Sequence, residues 1–166
     1  MAAGPEYKIR AAAPGDLEAV LEVLAEGGPA PDDGRGDAAA AASDQQRRTW
    51  ERVTGTPDLT VYLAEQHGVA IGTAAMLLMP HVTYDCRPTA FIEAVVVRRA
   101  HRRRGVARRL LEHALDDALG AGCLKVQLLS HKRHAVDGAH QLYRSLGFTP
   151  EAEGFRLYLT PWNVRG

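Results

Sequence analysis

The sequence predicts a mixed α/β fold with a β-sheet at its centre. Apolar and β-branched runs of strand length alternate with longer segments whose apolar residues recur at helical spacing. In chain order these segments read β-α-α-β-β-β-α-β-α-β, and interspersed strands and helices of this kind form a sheet covered by helices. The 166 residues contain no internal repeat, so we expect one domain over residues 1–166.

The first half of the chain is predicted to contain three strands and two helices. Pro14 stands at the start of the first helix, and its apolar residues follow at helical spacing until Gly27 and Gly28 end it. His67 and Gly68 form the turn between the second and third strands. The predicted elements are strand 6–12, helix 14–26, loop 27–37, helix 38–53, strand 59–65 and strand 69–78.

The second half begins with TAFIEAVVV, residues 89–97. This strand is apolar on both faces, as expected in the middle of a sheet that is covered on both sides. The helix after it keeps its apolar residues on one side and ends at residues 120–122, and Gly147 closes the following helix. The remaining predicted elements are strand 123–130, helix 138–146 and strand 154–160.

The composition excludes several classes of protein. The 20 basic and 20 acidic side chains balance, so the chain has no overall positive field that would attract nucleic acid. Cys86 and Cys123 are too few for a disulfide framework and have no metal-ligand spacing. No basic region followed by an apolar run stands at the N-terminus, and the longest apolar run, residues 69–79, is too short for a membrane span. We therefore expect a soluble, cytoplasmic protein without a metal site.

A cluster of seven arginines between Arg98 and Arg109 directly follows the apolar strand. Gly105 lies within it, where the next helix opens. The first N–H groups of a helix have no internal partner, and a glycine lets an anion approach them closely. A solvated helix face and a nucleic-acid contact are alternative interpretations, although no aromatic residues interleave with the arginines to stack bases. The cluster alone leaves all three open.

The motif Arg102-x-x-Gly105-x-Ala107 narrows this choice, because it lies between a strand and a helix. It resembles the acyl-CoA pyrophosphate motif of the GNAT N-acetyltransferases, Q/R-x-x-G-x-G/A. FIEAVVV precedes it, GCLKVQLLS follows it, and AHQLYRSLGF stands where the family has its C-terminal tyrosine and Gly-Phe pair. The resemblance runs from about Phe91 to Phe148. It implies a mostly antiparallel sheet whose fourth and fifth strands splay apart, and acetyl-CoA as cosubstrate.

The resemblance also implies which residues hold the cosubstrate. The amides from Arg103 to Arg108 would bind the pyrophosphate, with the Arg102 side chain nearby. Backbone groups of the strand before them would pair with the pantetheine arm as though it were an added strand. The cofactor-binding residues implied in this way are Val95, Val96, Val97, Arg102, Arg103, Arg104, Gly105, Val106, Ala107 and Arg108.

Acetyl transfer to an amine needs a base for the amine proton, donors for the oxyanion and an acid for the thiolate. Glu93 interrupts an apolar strand, and a buried carboxylate is costly unless it has a partner or a function. The resemblance implies Glu93 as general base, Tyr143 as general acid and the Val95 N–H as oxyanion donor. In the alternative, Glu93 is satisfied by a neighbouring group and Tyr143 is a core residue.

The acceptor site is predicted from residues 27–45, 81–88 and 130–137, which build it in this family. The predicted substrate-binding residues are His81, Tyr84, Lys132, Arg133 and His134. Their surroundings resemble the branches that acetylate glucosamine 6-phosphate and aminoalkylphosphonates, which implies a small amine that carries phosphate or phosphonate. Lys132, Arg133 and His134 are equally compatible with a solvated turn.

Two other functions stay open. The acceptor amine could belong to a protein or peptide, or the chain could be a non-catalytic acyl-CoA-binding regulatory module. A pure binding module would need neither Glu93 nor Tyr143. The resemblance allows a homodimer and implies neither a nucleic-acid nor a membrane partner.

Overall fold

The computed structural model describes residues 7–27, 41–136 and 138–157, without the side chains of residues 133 and 135. The chain forms two compact units, with the boundary between Leu128 and Leu129. The first unit contains the sheet and three helices, and the second contains a short helix with its flanking turns. The expectation of a single domain over residues 1–166 stays a prediction.

Five strands and four α-helices are found in the described part of the chain. The strands are β1 (Lys8–Ala11), β2 (Leu59–Gln66), β3 (Val69–Met79), β4 (Thr89–Val97) and β5 (Lys125–Leu128). The α-helices are α1 (Leu17–Ala25), α2 (Asp44–Thr54), α3 (Val106–Gly120) and α4 (Ala139–Ser145). Short 3-10 turns lie at Pro14–Asp16, Tyr84–Cys86, Arg99–His101 and Lys132–Ala135.

The sheet has the order β1-β2-β3-β4-β5. The first three pairings are antiparallel, and β4 with β5 is parallel. Only the first four residues of β4, Thr89–Ile92, pair with β5, although β4 continues to Val97. This confirms the mixed, mostly antiparallel sheet with splayed strands four and five.

Helices cover both faces of the sheet. On one face, α1 and α2 pack over Leu63 and Ala70, and Trp50 of α2 donates its indole N–H to the Pro14 carbonyl at 2.9 Å. On the other face, α3 approaches so closely that a Cβ on Gly72 would lie 3.0 Å from a methyl group of Val106. A glycine at position 72 therefore allows α3 to sit directly on the strand.

The β2–β3 hairpin confirms the predicted turn. His67 and Gly68 have φ angles of 51° and 77°. Positive φ at both central residues is the signature of the type I′ turn, whose twist matches that of the flanking strands.

Three predicted elements differ from the structure. Helix α2 starts at Asp44, not residue 38, because the Ser43 hydroxyl caps it by accepting the Gln46 N–H at 3.2 Å; residues 38–40 lie outside the described residues. Strand β5 starts at Lys125, not at Cys123, because the Cys123 N–H donates to the end of α3 at 3.0 Å. The predicted strand 154–160 is irregular over residues 154–157, and residues 158–160 lie outside the described residues.

An ionic network ties β1 to its neighbours. The Arg10 guanidinium donates to both carboxylate oxygens of Asp16, at 2.6 and 2.9 Å, and to Glu65 of β2. Asp16 also accepts the Ala13 N–H at 2.6 Å, which closes the turn before α1. The hydrogen bonds from Arg10 hold the pKa of Asp16 below its ordinary value.

We expect Asp16→Asn to lower the free energy of unfolding at pH 7 by about 1.5–3 kcal/mol, the range for a hydrogen bond to a charged group. Since the pKa is lower in the folded state, the unfolded chain binds the proton first as the pH falls. The contribution of Asp16 is therefore complete above the ordinary Asp pKa of about 3.9 and is lost as the pH drops through the lower, folded value.

Urea titrations between pH 2 and pH 7 measure this dependence. Asp116→Asn on the exposed side of α3 is the matched control, because Asp116 makes no polar contact with a described residue. Equal losses for both variants would contradict the role of the Arg10–Asp16 pair.

Candidate active site

The most irregular feature of the sheet lies in the middle of β4. Ala75 of β3 pairs with Glu93, but Thr73 pairs with Val96, so Ala94 and Val95 both stand opposite the single residue 74. Ala94 has a φ of 51°, which is uncommon for a residue with a side chain. This is a β-bulge, and it frees backbone groups of Ala94 and Val95 from the ladder with β3. No glycine marks the position, so the bulge could not be predicted from the sequence.

The bulge adjoins an open strand edge. The residues after Ile92 have no ladder partner on the β5 side within the described part of the chain. Val95 and Val96 are half-buried there. An exposed row of backbone N–H and C=O groups can accept an extended ligand as an added strand.

Glu93 lies immediately before the bulge and is exposed. The expectation that β4 is buried on both faces is therefore wrong at Glu93 and Ala94, which are both exposed. The side chain of Glu93 makes no hydrogen bond or ion pair with any described residue. Its carboxylate is thus accessible to a ligand, and it stays hydrated while no ligand is bound.

The chain beyond β4 forms a loop that presents backbone donors. Arg103 and Gly105 have φ angles of 59° and 86°, and a Cβ on Gly105 would meet no atom within 4 Å. Within the described residues, the backbone N–H groups from Arg103 to Ala107 find no acceptor. The first turn of α3 contains no acidic residue. Positive φ angles, free donors and a helix start together make an anion-binding concavity.

The arginines of the cluster divide into two groups. Arg98 binds Glu22 at 2.7 Å and the Ala70 carbonyl at 2.8 Å. Arg102 donates to the carbonyls of Val97 at 2.9 Å and Glu26 at 2.8 Å. The Arg102 guanidinium, predicted to lie near the pyrophosphate, is therefore occupied in fastening the loop to the ends of β4 and α1.

Among the other arginines beside the start of α3, Arg103, Arg104 and Arg109 make no hydrogen bond to a backbone carbonyl of a described residue. Arg108 and Arg109 both lie 3.6 Å from Glu112 one turn along α3. Arg103 and Arg104 are exposed and form no ion pair with a described residue. These two side chains are the available positive charges beside the free N–H groups.

His81 and Tyr84 lie at the other end of β4. His81 Nε2 is 2.9 Å from the Thr89 hydroxyl, and the His81 and Tyr84 rings meet edge to face at 5.8 Å. Lys125 Nζ lies 5.9 Å from the centre of the Tyr84 ring. Thr89 is four residues from Glu93, which corresponds to about 13 Å along a strand.

The second unit contains the other predicted site residues. Lys132 is exposed and His134 half-buried on one 3-10 turn, while the Arg133 side chain lies outside the described part. Tyr143 of α4 meets Phe148 edge to face at 6.1 Å. Gly147, with a φ of 92°, reverses the chain so that Phe148 donates to the Tyr143 carbonyl at 3.1 Å. The Gly-Phe pair is thus a Schellman motif that fixes the C-terminus of α4.

The thiol of Cys123 does not fit a nucleophile. Cys123 is buried, and burial raises the pKa of its thiol. Cys86 is exposed on the turn at Tyr84–Cys86. Among the described residues no group of three His, Cys, Asp or Glu side chains could hold a metal ion, and no helix there is long and apolar enough to span a membrane.

The model of the Acetyltransferase (GNAT) family matches residues 21–148 of this chain. The chain belongs to the GNAT acetyltransferase family. This membership confirms the resemblance drawn from the motif at Arg102–Ala107, and it assigns acetyl-CoA as the cosubstrate. The match spans the bulge, the free N–H groups and Tyr143.

Solved structures agree with this assignment. A predicted acetyltransferase from Agrobacterium tumefaciens str. C58 is 33% identical, with a TM-score of 0.80 over 92% of this chain and 99% of that chain. A transcriptional regulator from Bacillus halodurans C-125 is 25% identical, with a TM-score of 0.79 over 93% and 100%. The aminoglycoside N-acetyltransferase AAC(6')-Iy in complex with CoA shares the fold, with 22% identity and a TM-score of 0.72 over 97% and 99%.

We expect Arg102→Met to lower the stability of the protein and Arg103→Met to lower its affinity for CoA. Arg102→Met removes two hydrogen bonds from a charged donor and should lower the free energy of unfolding by about 1.5–3 kcal/mol. Arg103→Met should leave stability within about 0.5 kcal/mol and weaken CoA binding about tenfold, the value of one charge-assisted hydrogen bond.

Thermal unfolding and calorimetric titration with CoA measure the two effects. Raising the salt concentration should narrow the affinity difference between wild type and Arg103→Met, because exposed charges are screened. If Arg103→Met is destabilised and binds CoA with wild-type affinity, Arg103 serves stability and not CoA binding.

Proposed function

We propose that the protein is an N-acetyltransferase that moves the acetyl group of acetyl-CoA to the primary amine of a small molecule. The observation that carries the proposal is the continuity of three features along one segment. Exposed Glu93, the open edge from Val95 to Val97 and the N–H groups from Arg103 to Ala107, which find no acceptor among the described residues, follow in this order along the chain. This order matches the thioester, pantetheine and pyrophosphate parts of the cosubstrate.

Each part of the segment has one task in this proposal. The N–H groups around Gly105 bind the pyrophosphate, and Arg103 and Arg104 add positive charge. Backbone groups of Val95–Val97 pair with the amides of the pantetheine arm. Arg102 holds the loop in place through the Val97 and Glu26 carbonyls.

The proposed reaction is a direct transfer. Glu93 accepts a proton from the acceptor ammonium, and the free amine attacks the thioester carbon. The Val95 N–H, freed by the bulge, donates to the oxygen that becomes negative. The C–S bond then breaks, and the thiolate takes a proton from the Tyr143 phenol. Solvent reprotonates Tyr143 and takes the second proton that the acetylated nitrogen must lose. A phenol with an ordinary pKa of about 10 is protonated at neutral pH and suits this task.

The small-molecule acceptor follows from the predicted substrate residues. The predicted substrate-binding residues are His81 and Tyr84 in the first unit and Lys132, Arg133 and His134 in the second. An anionic phosphate or phosphonate on the acceptor stays a prediction that rests on these three residues. Amine-dependent release of free thiol from acetyl-CoA, measured across a panel of amines, tests the proposal; acetylation of peptides alone would shift it to a protein acceptor.

A second candidate is a regulatory module that binds acyl-CoA without turnover. The Bacillus halodurans neighbour, described as a transcriptional regulator, favours it. The accessible Glu93 carboxylate beside the bulge argues for catalysis, because a binding module gains nothing from it. Stabilisation by acetyl-CoA without thiol release for any amine would favour the module.

We expect Glu93→Gln to lower kcat by about 10²–10⁴-fold, the usual loss for a positioned general base. The KM for acetyl-CoA should stay within about twofold of wild type, because the amide keeps the shape of the side chain. A steady-state assay at several pH values measures both, and the wild-type dependence on a basic group should disappear. Glu112→Gln on α3 is the matched control; equal activity of Glu93→Gln and wild type would exclude the base.

We expect Tyr143→Phe to lower kcat by about 10²–10³-fold while keeping the Phe148 contact and the fold. The loss should shrink with acetyl thioesters of more acidic thiols, because these leave without protonation. Comparison of acetyl-CoA with an aryl thioacetate, in wild type and variant, measures this difference. A loss that is the same for both donors would mean that Tyr143 has a structural role.

A further inference from the structure

A part of the sheet surface next to Glu93 is apolar and only partly covered by described residues. Along β3, Ala74 and Met76 point towards α3 and are buried. Leu77 and Met79 point to the opposite face, where they are 43% and 38% exposed. Two large apolar side chains that alternate with buried neighbours on an inner strand are unusual for a monomer and indicate a binding surface.

The strand register extends this surface across the sheet. Leu77 pairs with Leu59 of β2 and with Phe91 of β4, and both partners are half-buried. Paired residues of neighbouring strands share a face. We call Leu59, Leu77, Met79 and Phe91 the apolar floor.

Glu93 lies on the same face as the floor. It is two residues from Phe91 along β4 and pairs with Ala75 of β3. Helices α1 and α2 cover this face one row further on, where Leu63 and Val96 belong to their core. The covered part of the sheet therefore ends at the row of Glu93, and the floor begins directly beside it.

The opposite border of the floor is aromatic. His81 and Tyr84 lie at the level of Thr89, four residues from Glu93, and Lys125 is placed over the Tyr84 ring. At about 3.3 Å per residue, the backbones of Glu93 and Thr89 are separated by about 13 Å along the strand. In the described register, no Lys or Arg of β2, β3 or β4 shares this face between Thr89 and Glu93.

We infer that the acceptor is a primary amine with an apolar aliphatic or aromatic body. Its ammonium group pairs with Glu93, and its body lies across Leu77 and Phe91 towards the ring of Tyr84. The carboxylate attracts a cation and repels an anion at the same place, so a phosphate near the amine is disfavoured. This inference rests on the proposed acetyl transfer, and it differs from the phosphate-bearing acceptor predicted from Lys132, Arg133 and His134.

An acceptor series measures the inference directly. Thiol release from acetyl-CoA is recorded with 2-phenylethylamine, 3-phenylpropylamine, 4-phenylbutylamine, n-hexylamine, ethanolamine, glucosamine 6-phosphate and an aminoglycoside. Each methylene that becomes buried on the floor should raise kcat/KM about fourfold. We therefore expect a rise along the phenylalkylamines, with the polar amines well below them.

Two leucine variants locate the effect. Leu77→Gln should lower kcat/KM for 4-phenylbutylamine at least about fivefold, mainly through the acceptor KM, because Leu77 is 43% exposed and can bury this apolar area against the acceptor. Its KM for acetyl-CoA should not change, since Leu77 lies on β3 away from the open edge of β4. Leu119→Gln on α3, where the side chain is 76% exposed, is the matched control and should behave as wild type.

The outcomes separate this inference from the proposed function. The apolar acceptor is overturned if the wild-type protein acetylates glucosamine 6-phosphate or an aminoglycoside best. It is also overturned if kcat/KM does not rise along the phenylalkylamines. Both results leave the proposed acetyl transfer in place. Equal effects of Leu77→Gln and Leu119→Gln also overturn the apolar acceptor. Wild type that is not stabilised by acetyl-CoA in a thermal shift measurement overturns the proposed function together with the inference.

Discussion

The open edge of β4 is the constraint on which the rest of the site depends. An inner strand normally satisfies its backbone groups on both sides, and unsatisfied groups are costly when buried. Here β5 pairs only with Thr89–Ile92, and the bulge at Ala94 and Val95 interrupts the pairing with β3 as well. The segment from Glu93 to Val97 thus has no ladder partner on the β5 side among the described residues. Such a segment is stable only if its ends are fixed from outside.

Arginine side chains supply that fixation. Arg98 joins the end of β4 to the Ala70 carbonyl and to Glu22, and Arg102 joins the Val97 carbonyl to the end of α1. Glu26 accepts the Arg99 N–H at 2.7 Å on the same side. Among the described residues, the backbone N–H groups from Arg103 to Ala107 find no acceptor, so the proposed anion site begins where these structural contacts of the cluster end. A solvated helix face would have needed neither the carbonyl contacts nor the left-handed residues.

Local patterns predicted the elements that local chemistry determines. The bounds of β4, the turn at His67 and Gly68, and the end of α4 at Gly147 were predicted correctly because strand composition and glycine conformation decide them. The bulge, the occupied Arg102 guanidinium and the exposed Leu77 were not predicted. Each depends on which residues the strand register places opposite or above it. A local run of apolar residues does not determine this register. The prediction that β4 is buried on both faces was wrong at Glu93 and Ala94 for the same reason.

The charges at the two ends of the segment give the site a direction. Free N–H groups with Arg103 and Arg104 attract phosphates to the start of α3, while Glu93 presents a negative charge at the bulge. In the proposed function, the anionic cosubstrate and a cationic acceptor would therefore be drawn to different places on one strand and would meet at the bulge of Ala94 and Val95. Because opposite charges are separated within the site, the chain needs no net charge to attract either ligand. The apolar floor beside Glu93 then selects among cations by the surface they can bury, which electrostatics alone could not do.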